Sequence, residues 1–566
     1  MLARWLGDIF ADRVARGTWI LLFLLVGLVG TLFMHRAQVL TGFDLVPGRM
    51  GDTRLLIFLF DHWSKVFAGA VPWTSPIMMY PTADTLGFSD MAFGQGVVHS
   101  ALRAVGLDLF DATIALIMGL SALAYLMAGL FLRKVFATSL VATCAGAWFF
   151  AFSSIKAMNM GPYQLHIYGL IPVVLLAVGL LMGTATDVRA MSRWRAFALT
   201  AAGMLCLALM FNSGWYLAWY TGFFLLLLAG VALSHQLGRG WLWALLGRHG
   251  LGLLAAGAVF IAAMVPFLSL YLPARSFDKG HLPSVPTWDF LINMGPANFL
   301  WGWAHDWLPA LPEESRMGVG YAMLILWALA VPWALVKVAW TGPATARVEW
   351  RLAVMVLATS AFTLLAIRWP GGFSAWDGVV GVVPGADAVR GLQRYMMMLT
   401  APLAALLAMA VDRLLRVGGG PRARFLGGGA AMLLVLAVMS EQVSGSFGFS
   451  ADGQRRYFAA LKAQLAPSCQ LFSVRDPEQP FGEPGINEIP NLNRKYQADA
   501  LLLAALTGLP TVNGFSGLYP RDYHLYKLYD PRYPDHLAAW LARHNIAPTP
   551  CVVRFPPFDL AEVRPR

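Results

Sequence analysis

Long apolar segments dominate this chain and restrict the folds that it can adopt. Each has roughly the 20 residues that an α-helix needs to cross a bilayer, and eleven occur, near 18–35, 110–131, 136–152, 165–183, 196–212, 215–234, 250–271, 318–338, 352–368, 395–412 and 425–443. Of the 566 residues, 58% are hydrophobic and 13% are charged, whereas about 25% of the residues of a soluble domain are charged. The predicted fold class is therefore an α-helical polytopic membrane protein with about eleven transmembrane helices.

The charges between these segments predict how the helices are oriented. With the N-terminus in the cytoplasm, every short cytoplasmic connection is basic, as the positive-inside rule requires; these connections carry Arg4, Arg13, Arg16, Arg133, Lys134, Arg189, Arg193, Arg195, Arg239, Arg248, Lys337, Arg347, Arg351, Arg413, Arg416, Arg422 and Arg424. The outer connections hold most of the acidic residues, namely Asp44, Asp52, Asp61, Asp84, Asp90, Asp278, Asp289, Asp306, Glu313, Glu314, Asp377 and Asp387. The N-terminal segment lacks a small-residue cleavage site and is predicted to be an uncleaved signal anchor. An odd number of spans then places the C-terminus outside.

The last part of the chain has a different character. Residues 1–445 are predicted to form the transmembrane domain, and the polar, proline-rich residues 446–566 a small α/β domain outside the membrane. CQLFSVR and CVVRF are typical of β-strands, while DALLLAALTG and DHLAAWLARH are typical of amphipathic helices. Cys469 and Cys551 each begin a predicted strand. They are disulfide candidates in an oxidising compartment, and two buried free thiols are the alternative.

Carboxylates concentrate in the first outer loop, residues 36–109. Asp52 begins a segment whose apolar residues have helical spacing, which predicts a helix lying flat on the membrane. The helix dipole keeps a carboxylate at that position ionised, so Asp52 is a candidate base, although capping the helix is the structural alternative. Asp44 lies in a glycine- and proline-containing loop and is either a second candidate or a turn residue. Asp90 is predicted to cap a second surface helix that extends to Leu107.

Several other classes of function lack the motifs that they require. The net charge of +11 comes without a run of Lys and Arg interleaved with aromatic residues, so no nucleic-acid partner is predicted. The glycine-rich run VGGGPRARFLGGG has no Lys-Ser/Thr ending and does not match a nucleotide-binding loop. No His-Glu-x-x-His or paired cysteine spacing indicates a zinc hydrolase.

The first loop and the C-terminal part resemble the GT-C superfamily of membrane glycosyltransferases. The resemblance rests on Asp52 in MGDTR, on the Asp61-His62-Trp63 triplet, and on the strings WTSPIMMYP and TLGFSD. Two later strings also resemble members of this group, namely VRGLQRYMMM, which enters a late helix, and QADALLLAALTGLPTVNGFSGLYP, which resembles uncharacterised bacterial members. The loop has no Asp-x-Asp pair of the kind found in some members. No cofactor is therefore predicted, and a divalent metal has no support in the sequence.

The resemblance implies a hexosyl- or pentosyltransferase in a bacterial inner membrane. Such enzymes take a sugar from a polyprenyl-phosphate-linked donor and pass it to a glycan, lipid or protein acceptor on the periplasmic or extracellular side. Membrane lipids are the other expected partners. Asp52 would be the general base for the acceptor hydroxyl, with Asp44 in reserve.

The resemblance and the residue types also predict how substrates are bound. Arg390 and Arg394 would share one face of a helix and bind the donor phosphate, for which arginine is well suited. A structural pair between Arg394 and Asp387 or Asp377 is the alternative. Lys156 is a further available cation near the outer boundary. Candidate substrate-binding residues are His62, Trp63, Asp90, Gln164, His166, His281 and Trp288.

Two other functions stay open. A transporter or lipid flippase predicts ionisable residues near the middle of the bilayer and repeated broken helices, whereas the acidic residues here lie mainly between the spans. A non-catalytic scaffold for envelope assembly is the second alternative.

Overall fold

A computed structural model describes residues 15–49, 51–183, 185–274, 285–309, 311, 315–340, 347–418, 420–445, 447–475, 489–528, 530–547 and 549–555. Within these ranges, eleven helices are long and apolar enough to cross a membrane, so the predicted helical fold class and span number are confirmed. They are called spans 1 to 11 and comprise Arg16–Met34, Leu109–Phe136, Leu140–Met158, Tyr163–Leu181, Arg193–Phe211, Trp215–Leu233, Gln236–Ala274, Tyr321–Ala339, Val348–Leu365, Leu392–Leu415 and Pro421–Glu441.

Shorter elements connect the spans. The first loop contains the helices Arg36–Leu40, Asp52–Phe67 and Phe93–Ala104 and the 3₁₀ turn Thr85–Phe88. Later connections contain Ala185–Ala190, Trp288–Leu291, Gly302–Trp307, Trp376–Val382 and Ala386–Ala388. The region after span 11 contains the helices Ala451–Lys462, Ile489–Thr507 and Tyr533–Arg543. The end of the bundle on which the first loop lies is called the loop face.

Spans 3 and 10 form the centre of the membrane part. Their most apolar windows are 83% and 78% buried, whereas those of spans 7 and 11 are 11% and 17% buried. Gly146 of span 3 permits the close contact, because a Cβ atom there would lie 2.7 Å from the Ala404 carbonyl oxygen of span 10. Small residues at such crossings let helix backbones approach closely in a membrane.

The region after span 11 packs against the first loop. Strand β1 (Leu45–Pro47) of the first loop pairs antiparallel with β2 (Gly448–Ser450), which follows span 11. Strands β3 (Phe472–Arg475) and β4 (Cys551–Arg554) form a parallel pair. The predicted strands and amphipathic helices are therefore confirmed. A disulfide joins Cys469 to Cys551 with a Cα–Cα distance of 6.0 Å, so the alternative of two free thiols is wrong.

The helix Asp52–Phe67, called the loop helix, begins at the predicted residue and is largely buried. All residues from Thr53 to Trp63 are buried. The C-terminal helix Ile489–Thr507 covers part of it, and Lys65 Nζ donates a hydrogen bond to the Ala505 carbonyl oxygen of that helix (2.6 Å). The apolar side chains of the loop helix are therefore covered by protein, whereas its predicted orientation, flat on the membrane, stays a prediction.

The orientation of the bundle can be tested with reporter fusions. Fusions that end at Gly240 and at Ser450 are expected to report opposite sides of the membrane, because basic residues cluster at one end of the spans and acidic residues at the other. Alkaline phosphatase, which is active outside the cytoplasm, and green fluorescent protein, which fluoresces inside it, provide complementary readouts. The same side for both positions would contradict the predicted topology.

Candidate functional site on the loop face

The loop helix presents Asp52 at its first position, where the side chain is exposed. The next residue is buried and holds the first turn in place: Thr53 Oγ1 donates to the Gly161 carbonyl oxygen between spans 3 and 4 (3.0 Å). Thr53 Oγ1 also accepts a hydrogen bond from the Arg49 amide (3.1 Å). A carboxylate at a helix N-terminus is stabilised in its charged form by the helix dipole. Asp52 therefore combines a fixed backbone with an accessible carboxylate.

A second carboxylate, Asp90, lies close to Asp52 and links the first loop to span 6. Its Oδ1 accepts a hydrogen bond from the Trp215 amide (2.9 Å) at the beginning of span 6. Burial raises the pKa of Asp90, and the negative charge of Asp52 adds to this effect. Hydrogen bonds from Trp215 and Gln164 and the positive charge of Arg394 act in the opposite direction. These interactions bring Asp52, Asp90 and Arg394 into one electrostatic site.

The structure contradicts the predicted cap by Asp90 and places Gln164 next to this residue. Asp90 does not cap the helix Phe93–Ala104, whose N-cap residue is Ala92 and has no side-chain cap; it caps span 6 instead. Gln164 is buried beside Asp90 and hydrogen-bonds to it. Gly214, just before span 6, permits a close contact with Gln164, because a Cβ there would lie 2.3 Å from the Gln164 carbonyl oxygen.

Arg394 lies at the loop-face end of span 10. Its side chain is buried, and its guanidinium carbon lies 5.3 Å from the centre of the Tyr216 ring of span 6. The Tyr216 hydroxyl interacts electrostatically with the charged groups of Arg390, Arg394 and Asp90. Tyr220 of span 6 also contacts the chain just before span 10, because its hydroxyl donates a hydrogen bond to the Gly391 carbonyl oxygen (2.6 Å).

Arg390 and Arg394 do not share a helical face. The α-helix begins at Tyr395 and is preceded by a 3₁₀ turn, Leu392–Arg394, so Arg390 lies outside it. Arg390 Nη1 donates instead to the Gly517 carbonyl oxygen of the C-terminal region (3.2 Å). The predicted helical register is wrong because the chain leaves helical geometry at Gly391.

The C-terminal segment around Gly517 forms one side of this site. Ser516 Oγ and the Leu518 amide both donate to the Phe88 carbonyl oxygen, at 2.9 Å and 3.1 Å. The same segment thus touches Arg390 and the chain just before Asp90. It belongs to the string TVNGFSGLYP on which the resemblance partly rests, but the sequence did not indicate that it adjoins the first loop.

Three other predicted site residues, His62, Trp63 and His166, are buried, and a fourth, Asp44, is half-buried. His62 Nε2 hydrogen-bonds with the Trp73 carbonyl oxygen (2.9 Å), and burial lowers the pKa of His62 to about 4. Trp63 is buried and donates to the Met91 carbonyl oxygen (2.8 Å). His166 is buried and lies 3.2 Å from the Asn159 carbonyl oxygen. Asp44 Oδ1 accepts from the Asp452 amide (2.7 Å), so Asp44 caps a C-terminal helix.

Within the described ranges, the structure shows no contact between the remaining predicted residues and the charged groups of the site. Trp288 is 50% exposed in a 3₁₀ turn, and His281 lies outside the described residues. Lys156 is fully buried and donates to the Met397 carbonyl oxygen (2.7 Å) and Thr400 Oγ1 (3.1 Å) of span 10. Lys156 therefore joins spans 3 and 10 rather than serving as an accessible cation.

The residues that the structure describes do not include a group of three or more His, Cys, Asp or Glu side chains placed to hold a metal ion. The cluster instead offers an exposed carboxylate, a half-buried carboxylate and two guanidinium groups. A carboxylate can accept a proton from a hydroxyl, and guanidinium groups form strong, charge-assisted hydrogen bonds with phosphate.

No family model and no curated protein matches the chain. Among solved structures, it is similar to the apo oligosaccharyltransferase of Archaeoglobus fulgidus, with 11% identity, 87% of this chain and 64% of that chain covered, and a TM-score of 0.46. It is also similar to ArnT from Cupriavidus metallidurans bound to undecaprenyl phosphate, with 14% identity, 88% and 86% coverage, and a TM-score of 0.39. A third is the mycobacterial arabinofuranosyltransferase AftD, with 17% identity, 82% and 30% coverage, and a TM-score of 0.41.

The chain spans less than two thirds of the A. fulgidus chain and less than one third of the mycobacterial chain. With identities below 25% and TM-scores below 0.5, these likenesses carry no argument about donor, acceptor or catalytic residues. The three solved structures named above are GT-C membrane glycosyltransferases.

Proposed function

We propose that the chain is an integral membrane glycosyltransferase that moves a sugar from a polyprenyl-phosphate-linked donor to a glycan, lipid or protein acceptor. The observation that carries this proposal is the placement of Asp52, Asp90 and Arg394 in one electrostatic site at the ends of apolar spans. A lipid-linked donor needs an apolar surface for its tail, and the spans supply one. Its phosphate needs cations at the boundary, and Arg394 and Arg390 lie there.

In the proposed reaction, Asp52 accepts the proton of an acceptor hydroxyl. The acceptor oxygen then forms a bond to the anomeric carbon of the sugar, and the bond from that carbon to the phosphate oxygen breaks. The bonding electrons leave with the polyprenyl phosphate, whose charge Arg394 and Arg390 stabilise. A lipid phosphate is a good leaving group, so the reaction does not strictly require a general acid.

Asp52 is a better candidate base than Asp44. The Asp52 side chain is exposed, whereas the Asp44 side chain is half-buried and its Oδ1 accepts a hydrogen bond from the Asp452 amide. Using Asp44 as the base would disrupt the cap of the helix Ala451–Lys462. Asp44 therefore stays in reserve.

Asp90 and Gln164 are proposed to contact the sugar. Gln164 Oε1 is buried and has no hydrogen-bond partner among the described residues, and a buried acceptor of this kind is costly unless a donor meets it. A sugar hydroxyl is a suitable donor. The bond between Asp90 and the Trp215 amide would hold both residues in place while the donor binds.

The Cys469–Cys551 disulfide supports a location of the C-terminal region outside the cytoplasm, because disulfides persist mainly in oxidising compartments. The proposed location is a bacterial inner membrane, with the loop face in the periplasm or extracellular space. Residues 1–445 would form the catalytic membrane domain and 446–566 the external domain.

The direct test is turnover of a lipid-linked donor by the purified protein in nanodiscs. We expect a polyprenyl-phosphate-linked hexose or pentose to lose its sugar and release polyprenyl phosphate in the presence of an envelope fraction that supplies acceptors. Nucleotide sugars without the lipid carrier serve as the control and should not be consumed. In proteoliposomes, movement of an intact labelled glycolipid across the bilayer without loss of sugar would favour the flippase alternative instead.

A further inference from the structure

The first turn of the loop helix is held from two directions. Thr53 Oγ1 is bonded to the membrane part at Gly161. The next residue, Arg54, is 1% exposed and contacts the C-terminal region. Asp52 itself is exposed. Because helical residues follow one another with a rise of 1.5 Å, fixing Thr53 and Arg54 fixes the backbone of Asp52.

Arg54 is part of a buried charged cluster, called the Asp499 cluster and formed by Arg54, Gln454, Tyr457, Lys495 and Asp499. Arg54 forms an ion pair with Asp499, which is 0% exposed, and its Nη2 donates to Gln454 Oε1 (2.5 Å). Asp499 Oδ2 also accepts from Lys495 Nζ (3.1 Å) and from the Tyr457 hydroxyl (2.9 Å).

All members of the Asp499 cluster other than Arg54 belong to the C-terminal region. The Arg54 guanidinium also lies 5.6 Å from the Phe449 ring and 6.0 Å from the Phe458 ring of that region. A carboxylate with three donors and a planar guanidinium with fixed neighbours leave the Arg54 side chain little freedom. The Asp499 cluster therefore fixes the first turn of the loop helix relative to the C-terminal region.

A gain in stability does not by itself explain why these charged side chains are buried together. Removing buried charges from water is costly, and well-packed apolar residues of similar volume are often at least as stabilising. An ion pair with several directional hydrogen bonds instead holds its side chains in one defined geometry. Geometry matters for a base, because a displacement of about 1 Å can reduce the rate roughly 100-fold.

We propose that Asp499 is a positioning residue for Asp52, acting through Arg54. The inference rests on the proposed role of Asp52 as the base. It makes the C-terminal region part of the catalytic machinery through a residue that does not touch substrate.

Two variants test this role. Asp499→Asn removes the charge with little change in shape, and the triple variant Arg54→Met/Lys495→Met/Asp499→Leu replaces the charged contacts by apolar packing. For both we expect kcat to fall at least tenfold while the KM values for donor and acceptor change less than threefold. In the triple variant we also expect the melting temperature to return to that of the wild type. Either variant decides the question if the other does not fold.

A merely structural cluster gives a different result. Recovery of wild-type kcat in the triple variant together with recovery of its melting temperature would overturn the proposal, as would a change confined to KM. Arg455→Met is the matched control. Arg455 ties the C-terminal region to Asp108 (2.6 Å) and Asp111 (2.8 Å) at the start of span 2 rather than to Arg54, and its loss should leave kcat unchanged.

Combining variants separates this proposal from the proposed base. If Asp52→Asn alone retains turnover, Asp52 is not the base and its proposed role fails. If Asp52→Asn abolishes turnover but the triple variant is fully active, only the positioning role fails. If both proposed roles are correct, adding the triple change to Asp52→Asn lowers the residual kcat no further, because the effects of residues that act as a unit are not additive.

Discussion

Asp52→Asn protein is expected to transfer sugar roughly 10²- to 10⁴-fold more slowly than the wild type, the usual cost of losing a general base. Asparagine keeps the shape of aspartate but cannot accept a proton at neutral pH. The Asp52 side chain is exposed, so the free energy of unfolding should change by less than about 0.5 kcal/mol. The measurement is the single-turnover rate with a polyprenyl-phosphate-linked sugar, with KM and melting temperature followed in parallel.

Asp84→Asn is the matched control for this substitution. Asp84 lies in the same loop, is exposed, and has a left-handed backbone conformation that asparagine also tolerates. It should retain full activity. Wild-type turnover in Asp52→Asn would move the role of base to Asp44, and wild-type turnover in both Asp52→Asn and Asp44→Asn would refute a base in the first loop.

The second large effect is expected at Arg394. Arg394→Ala should raise the KM for the donor about 10- to 150-fold, because a hydrogen bond to a charged group contributes about 1.5–3 kcal/mol and 1.4 kcal/mol corresponds to a factor of ten. Arg394→Lys should be less impaired, because it keeps the charge but loses the planar fork and the stacking on Tyr216. Thermal shifts with and without undecaprenyl phosphate measure the binding contribution directly.

Arg103→Ala is the control for Arg394. Arg103 is a half-buried arginine of the first loop that donates to the Leu107 carbonyl oxygen (2.9 Å) and lies outside the charged site. Its loss should leave the shift caused by undecaprenyl phosphate unchanged. A lower melting point for Arg394→Ala without ligand, combined with an unchanged ligand-induced shift, would show that Arg394 is structural and that the phosphate binds elsewhere.

Elements that depend on local sequence were predictable. Hydrophobic length predicted the eleven spans, because the bilayer imposes a minimum length on any helix that crosses it. The loop helix begins at Asp52 as predicted, since its apolar residues recur with helical spacing. The two C-terminal strands were predicted from short apolar runs rich in valine and phenylalanine, which favour extended structure.

Contacts between distant parts of the chain were not predictable in the same way. Asp90 accepts from an amide 125 positions later, and local sequence offered the nearer helix Phe93–Ala104 as its partner. The register of Arg390 and Arg394 was missed because the chain enters span 10 through a 3₁₀ turn after Gly391. Periodicity assumes a regular helix and cannot show where it begins.

Burial inside the membrane part was also underestimated. The sequence predicted Lys156 as an available cation near the outer boundary, yet Lys156 is fully buried in span 3. Its ammonium group is satisfied by the Met397 carbonyl oxygen and the Thr400 hydroxyl of span 10. A sequence shows that a lysine lies near a span boundary, but only the packing of the neighbouring helix shows whether it faces water or a carbonyl oxygen.

The pairing of β1 with β2 constrains how the protein is made. Leu45 pairs with Ser450, so one strand is synthesised before ten of the spans and the other after all of them. At about 5–20 residues per second, the ribosome needs roughly 20–80 s to add the intervening chain of about 400 residues. During that time the first loop lacks its partner strand and the helix Ile489–Thr507 that covers the loop helix. The candidate site therefore matures only after membrane insertion is complete, and any factor that protects nascent first loops would act in this interval.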